Sequence, residues 1–465
     1  MVNTPCKSLG ADFAPIISPG HCIHIIVLFY QFVLFAQFVE HILPRFSTMN
    51  DIRISIISGG TATNELVSLF QSISSKISYI IPISDNGGST SELIRVIGGP
   101  AIGDLRSRLT RLIPESHKNL RQLLSFRLSN DPALAKAQWN EIVDGTHPVW
   151  HDINTATKEI IRAFLIHVHT ELLKRSKFQF TPNGTRRQFR YELANVGNLF
   201  LTGIRLFIGS LDSAIELFVK LTNIDSTIEV LPCVNTNFSY HISALLQNGL
   251  IITGQSQISH PSDTAHHKPD RPYPPPIINT RPPSPMENHP INDDPAAVPD
   301  YFKAHAQLPQ LVLPGENNRN SISSFISDVE SESEDEEAGN VPQYTHPDLR
   351  KSQLHFSKSE NIQPLLSPIK RIFYISPYGE EICPIAHSRA SASITNSDVL
   401  IYSIGSLMTS IIPVVILRNI GKAIAGDFSE NSKPKKKILL LNGCTDRETF
   451  GMTAADFIRV IFELA

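Results

Sequence analysis

Residues 52–60 read Ile52-Arg53-Ile54-Ser55-Ile56-Ile57-Ser58-Gly59-Gly60, and their reading decides the fold. A short β-branched run is what a pleated strand accommodates best, and a glycine pair ends it. A helical stretch follows over 64–73. The same grammar then repeats. Residues 79–84 (Tyr-Ile-Ile-Pro-Ile-Ser) form a second apolar run, a glycine-containing loop closes it, and a helical pattern covers 92–97. Two strand–glycine–helix units within about 50 residues predict a parallel sheet with helices on its faces. In such sheets ligands bind beyond the carboxyl ends of the strands.

Working outward, 104–175 is mostly helical, with apolar spacing at Leu105, Leu109 and Leu112 and again at Ile160, Ile161, Phe164 and Leu165. Residues 211–221 give another amphipathic helix, and 240–258 a hairpin turning at Asn248-Gly249, a pair suited to tight hairpin turns. Farther on, 371–376, 399–404 and 437–441 read as strands and 410–423 as a helix with Pro413 in its first turn. A last helix covers 452–464, and the chain stops within it without a capping residue, as a truncated C-terminus would.

Between these blocks, 262–345 is different in kind. It holds 14 of the 33 prolines, 5 basic and 14 acidic residues, a net of -9 that leaves the rest of the chain at +6. Such a stretch buries too little apolar surface to offset its ordering entropy and is expected to be disordered. Ser331 and Ser333 stand directly before carboxylates in its acidic end, so phosphorylation by an acid-directed kinase is expected there. The expected organisation is therefore an N-terminal extension 1–48, α/β blocks 49–261 and 346–465, and the Pro-rich acidic insert 262–345.

The 465 residues carry a net charge of -3, with 41% hydrophobic and 18% charged residues, which suits neither a polytopic membrane protein nor a nucleic-acid binder with a basic face. Five scattered cysteines without a CxxC pair exclude a disulfide framework and a cysteine zinc site, and fit a reducing, cytoplasmic setting. The apolar run 23–39 is short for a membrane span and lacks the basic flank of a signal peptide. A start at Met49, with 1–48 a gene-model extension, is weighed evenly against a real segment; a membrane anchor is the lesser reading.

Three turns sit where phosphates would bind. The first is Gly59-Gly60-Thr61-Ala62-Thr63-Asn64, whose glycines allow close backbone approach before a helix N-terminus. The second is Asp85-Asn86-Gly87-Gly88-Ser89-Thr90, where a carboxylate, glycines and hydroxyls converge; helix capping explains Asp85 equally well. The third is Gly405-Ser406-Leu407-Met408-Thr409-Ser410, with hydroxyls and backbone donors suited to an anion. Between them Asp104 opens a helix and Arg106 is within reach of a phosphate. Neither GxGxxG nor the P-loop pattern is present. His387 is a tempting base, although a structural histidine at a helix start is the commoner case.

In order, the strings GGTATN, SDNGGSTSELIR, GDLRSRL, ANVGNLFLTG, SDVLIYSIGSLMTSIIPVV and LLLNGCTDRETFGMTAADF resemble the CofD family, which also holds YvcK-like, gluconeogenesis-factor-like proteins. The resemblance spans roughly 52–261 and 369–465. It implies an α/β, Rossmann-like parallel sheet with helices on both faces, interrupted by the long disordered insert. It also implies a nucleotide diphosphate or nucleotide sugar as ligand, with a homodimer as assembly and no nucleic-acid partner. CofD enzymes transfer a 2-phospholactyl group from a guanosine diphosphate-linked donor to a deazaflavin hydroxyl, with magnesium. YvcK-like relatives bind a UDP-sugar and act in carbon metabolism and cell-wall regulation. By resemblance Asp85 is the catalytic candidate. Gly59, Gly60, Thr61, Gly87, Gly88, Ser89, Asp104, Arg106, Asn198, Gly405, Ser406 and Thr409 are the expected nucleotide- and phosphate-binding residues.

One departure matters. Asn86 stands where YvcK-like loops carry a second carboxylate, which removes a metal ligand and weakens magnesium. The insert points to a eukaryotic, fungal-like member, in which another hydroxyl compound would replace the deazaflavin. The expected function is a CofD-like transferase resembling 2-phospho-L-lactate transferase. The alternative is a non-catalytic, YvcK-like nucleotide-sugar-binding regulator of carbon metabolism.

Overall fold

The computed structural model describes residues 17–18, 21–27, 52–85, 87–176, 188–259, 364–426, 435–442 and 446–464, the first two segments by their backbone alone. All of these belong to one compact unit, Met1–Asp270 with Glu336–Ala465. A second unit, Arg271–Asp335, lies outside the described residues, as do the expected phosphorylation sites and Asn86.

The strands are β1 (Ile17–Ser18), β2 (His21–Val27), β3 (Arg53–Ile57), β4 (Lys76–Ile81), β5 (Ile228–Pro232), β6 (His241–Leu246), β7 (Ile251–Thr253), β8 (Ile369–Ile375), β9 (Glu381–Ile382), β10 (Val399–Tyr402) and β11 (Lys436–Leu441). Seven of them form one sheet in the order β1-β2-β11-β10-β3-β4-β5, parallel throughout except for the β1–β2 edge pair. Blocks separated by the insert thus share one sheet. The run read at the outset is its centre: Ile54, Ile56 and Ile57 of β3 are buried, as a strand covered on both faces requires.

Residues within the expected extension also join it. β2 pairs in parallel with β11, from Lys437 opposite Ile23 to Leu441 opposite Val27.

Between β4 and β5 the chain forms the helices Gly88–Val96, Gly103–Leu112, Lys118–Ser125, Pro132–Asp144, Thr155–Ser176, Val196–Ile208 and Leu211–Leu221. Their side chains merge with the sheet in one core, which includes Leu105, Leu109, Trp139, Ile161 and Phe200. The helices Thr155–Ser176 and Val196–Ile208 cross closely at Gly203, where a Cβ would come within 2.4 Å of the Phe164 carbonyl oxygen.

Two details differ from the sequence reading. The hairpin over Asn248-Gly249 forms, with Gly249 at φ +86°, but β8 pairs with it to make a separate antiparallel sheet, β7-β6-β8-β9. An isolated hairpin is marginal, and the strand after the insert supplies the missing partner. The helix expected over 410–423 is instead a π-helical turn, Leu407–Ile411, then Ile412–Val415, a break, and Ile420–Ala425. Pro413 does sit in the first turn of the middle piece, where its missing N–H is harmless. Asn419 takes a left-handed φ of 79° and separates the last piece.

Candidate functional site

The chain leaves the centre of the sheet in opposite directions: β3 to β4 on one side, β10 to β11 on the other. A crevice opens at such a switch point, beyond the carboxyl ends of the diverging strands. Here those ends are the first turn, after β3, and the late turn, after β10. They are in contact. A Cβ on Gly59 would lie 2.7 Å from Ser410 Oγ, and Thr63 Oγ1 donates to Ser403 Oγ at 2.9 Å and to the Ile404 carbonyl at 3.0 Å.

The second loop and the following helix bring acid to the first turn. Asp104, near the start of the helix Gly103–Leu112, packs so tightly on Gly60 that a Cβ there would meet Asp104 Oδ1 at 2.3 Å and its Cα at 2.5 Å. Gly60 N–H donates to this carboxylate. Burial, reinforced by the charge of nearby Asp85, pushes the Asp104 carboxyl up to about 7, against the opposing pull of Arg108 and Arg106. Asp85 itself accepts from Gly87 N–H at 2.9 Å, a local turn that holds the loop before Gly88, whose φ is +54°. Two carboxylates of like charge, Asp85 and Asp104, thus lie close enough to repel each other beside the first turn.

Cations frame the pair. Arg106 Nε donates to Asn198 Oδ1 at 2.9 Å, and Asn198 Nδ2 donates to Ser89 Oγ at 3.1 Å. This chain ties three sequence candidates together across more than 100 residues, since Ser89 and Asn198 are 109 apart. Gly197 makes room for it: a Cβ there would meet the Leu124 carbonyl oxygen at 2.1 Å and Arg106 Cδ at 2.9 Å. Burial, with Arg127 as a like charge, lowers Arg106 to about 10. Arg108, fully buried, lies 4.4 Å over the Tyr79 ring and donates to the Gly59 carbonyl at 3.2 Å, so it braces the first turn from below.

The late turn is less free than its composition suggests. Gly405 N–H donates to Asn442 Oδ1 at 3.1 Å, and Asn442 Nδ2 returns a bond to the Gly405 carbonyl at 2.9 Å. Ser406 Oγ donates to Asp446 Oδ2 (3.2 Å) and Glu448 Oε1 (3.1 Å), and Thr409 Oγ1 to Glu448 Oε1 (2.8 Å). Ser259 completes the set on Glu448. Burial and then Asp446 push the Glu448 carboxyl up to about 7.

Gly59, Gly60, Asp85, Gly87, Gly88, Ser89, Asp104, Arg106, Asn198, Gly405, Ser406 and Thr409 therefore lie on adjoining turns and helix starts near the carboxyl ends of the strands. Thr61 begins the short 3-10 turn Ala62–Leu66 as an exposed residue without a side-chain capping bond. His387 belongs elsewhere. It is buried before the helix Ser388–Asn396, with Nε2 3.8 Å from Asp212 Oδ2, and burial lowers its pKa. Sequence reading missed Arg108, Asn442, Asp446 and Glu448. The last three lie within the quoted string LLLNGCTDRETFGMTAADF, so the signal was present but no chemistry was assigned to it. Among the described residues no group of three or more His, Cys, Asp or Glu is arranged to hold a metal ion, and no helix is long and apolar enough to cross a membrane.

Glycine turns, an acidic pair and buried arginines thus gather at the switch point of a parallel α/β sheet. Residues 54–465 match the sequence profile of 2-phospho-L-lactate transferase CofD, and the chain belongs to the CofD family. It is 42% identical over 417 residues to the uncharacterized protein YNL011C of Saccharomyces cerevisiae, covering 89% of this chain and 82% of the yeast protein. Over 72 residues, 15% of this chain and 24% of the relative, it is 38% identical to the "Putative gluconeogenesis factor" of Yersinia pestis. Among solved structures, protein BH3568 of Bacillus halodurans aligns over 89% of this chain and 76% of its own, with a TM-score of 0.46 and 17% identity.

Proposed function

We propose that the chain is a CofD-like transferase that binds a nucleotide diphosphate in the switch-point crevice and passes a phosphate-linked group from it to a hydroxyl acceptor, as 2-phospho-L-lactate transferase does. The observation that carries this reading is the pairing of Asp85 and Asp104 beside the Arg106–Asn198–Ser89 chain.

The donor set fits magnesium. Two carboxylates, one of them pushed toward neutrality by burial first and by the other's charge second, are relieved by a hard divalent cation, and magnesium is commonly held by one or two carboxylates with phosphates and water. Asp85 and Asp104 would hold it, where it would neutralise diphosphate oxygens. Arg106, kept in place by Asn198, adds positive charge for the diphosphate. Gly60, with no Cβ, lets Asp104 pack against the first turn and bring its carboxylate to the site. Asp85, partly exposed at the cleft, orients the acceptor hydroxyl and takes its proton. The acceptor oxygen then forms a bond to the transferred phosphorus, the phosphoanhydride bond breaks, and nucleoside monophosphate leaves with the electron pair.

The test is a thermal-shift panel on the full chain with GDP or UDP-N-acetylglucosamine, each with and without magnesium. A ligand at 100 times its Kd stabilises by ~2.7 kcal/mol, which is readily measured. Stabilisation by GDP that grows with magnesium and disappears in Asp85→Ala and Asp104→Asn is the expected result. A shift with the UDP-sugar alone, without turnover, would make the protein a binding regulator. No shift with any nucleotide would refute the reading.

A further inference from the structure

The late turn was expected to face an anion, yet the hydroxyls of Ser406 and Thr409 donate to carboxylates. A serine hydroxyl has one hydrogen and two lone pairs. Ser406 directs that hydrogen at Asp446 Oδ2 and Glu448 Oε1, groups that accept here. Thr409 and Ser259 likewise direct theirs at Glu448 Oε1. Three segments, the helix Gln255–Ser259, the late turn and the loop at 446–449, therefore converge on one carboxylate oxygen. Asp446 is pinned in turn, with Oδ1 accepting from the N–H groups of Glu448 (3.0 Å) and Thr449 (2.9 Å). Glu448 is only 5% exposed and its Oε2 is buried without a partner, so the acidic support lies beneath the turn. Ser406, by contrast, is partly exposed.

We propose that Asp446 and Glu448 are positioning residues that fix Ser406 Oγ as a hydrogen-bond acceptor, so that the late turn receives an O–H or N–H donor from the nucleoside end of the ligand, a ribose hydroxyl or a base N–H, rather than its phosphates. Gly405 fits this polarity, because its N–H is taken up by Asn442 and adds no donor. A phosphate placed on Ser406 Oγ would meet lone pairs with two carboxylates behind them. The crevice is thereby polarised: Arg106 flanks the phosphate end, and the acidic support marks the nucleoside end. This rests on the nucleotide reading above.

The experiment compares Ser406→Ala with the full-length wild type by calorimetry in magnesium. The probes are GDP, 2′,3′-dideoxy-GDP, UDP and inorganic diphosphate. Ser406→Ala should weaken GDP by about tenfold, the worth of one good hydrogen bond, and leave inorganic diphosphate unchanged. If the donor is a ribose hydroxyl, the variant loses the preference for GDP over dideoxy-GDP; if it is a base N–H, it loses the preference between GDP and UDP. Glu448→Ala, which removes the acceptor under Ser406, should lose the same preference as Ser406→Ala, and Glu448→Gln, which retains an acceptor oxygen, should restore it; a Glu448→Ala that keeps the preference would overturn the positioning role. Equal losses for GDP and inorganic diphosphate in Ser406→Ala would make the turn a phosphate site and overturn the proposal. A wild type that binds none of the probes would overturn the nucleotide reading itself, and this inference with it.

Discussion

Replacing Asp104 by asparagine should make the protein more stable above neutral pH while disabling its site. The Asp104 carboxyl is pushed from 3.8 to about 7 by burial first and by Asp85 second. A shift of that size corresponds to a penalty on the order of 4 kcal/mol carried by the folded state once the group is ionised. The sign follows from linkage. The folded pKa lies above the unfolded one, so between about pH 4 and 7 the native state keeps a proton that the unfolded chain has released. The stabilising contribution is whole below pH 4 and is lost as pH rises through 7. Asparagine cannot ionise, and its side-chain oxygen still accepts from Gly60 N–H. The variant should match the wild type at pH 4.5 and exceed it at pH 8 by a few kcal/mol, somewhat below the full ~4 kcal/mol because the denatured state and local relaxation absorb part. Urea midpoints for both proteins at the two pH values measure this directly. Magnesium should recover much of the missing stability in the wild type at pH 8 and none in the variant. A difference between the two proteins that is the same at pH 4.5 and pH 8 would refute the reasoning, because Asp104 would then be ionised and compensated throughout.

Two further substitutions probe the supports of the crevice. Gly60→Ala sets a methyl against the Asp104 backbone at 2.5 Å, so it should cost ~1–3 kcal/mol in thermal unfolding and abolish magnesium-dependent ligand binding. Gly209→Ala, at φ +78° in open space, should cost only ~1–2 kcal/mol from its left-handed backbone and leave binding intact. Glu92, fully buried, accepts from Arg95 Nε at 2.8 Å and from Arg190 at its backbone N–H (2.7 Å) and Nη2 (3.0 Å). Glu92→Ala takes the buried carboxylate from both Arg95 and Arg190 and should cost ~3–5 kcal/mol in chemical denaturation, whereas removing the more exposed Arg190 should cost markedly less.

Legibility in the sequence followed the range of the interaction. The parallel sheet was readable because its strands are local apolar runs ended by glycine: 52–58 was expected and Arg53–Ile57 forms, and the helix over 211–221 forms as Leu211–Leu221. β8 read correctly as a strand, but not its membership of an antiparallel sheet, since strand composition does not encode the partner and this one lies across the insert. In the site, glycine turns announced themselves through composition. Arg108 did not: on a helix it looks like any solvated arginine, and only the fold lays it under Gly59. The polarity of Ser406 was invisible for a related reason. A hydroxyl donates or accepts according to its neighbours, and those neighbours, Asp446 and Glu448, stand 40 and 42 residues away.

The acid in the crevice also explains why a fold of this kind would need a cation for an anionic ligand. Asp85, Asp104, Asp446 and Glu448 place four carboxylates around the turns. The nearby cations are two buried arginines, Arg106 held by Asn198 and Arg108 lying under Gly59 and over the Tyr79 ring. A diphosphate entering such a site without added positive charge would meet net repulsion at short range and low dielectric. Of the four acids, the Asp85–Asp104 pair lies beside Arg106, whereas Asp446 Oδ1 accepts from backbone N–H groups and Glu448 Oε1 from hydroxyls beneath the late turn. A magnesium requirement should therefore track the first pair alone. Charge-neutralising changes at Asp85 or Asp104 should abolish the magnesium dependence of ligand binding, and Glu448→Gln should leave it in place.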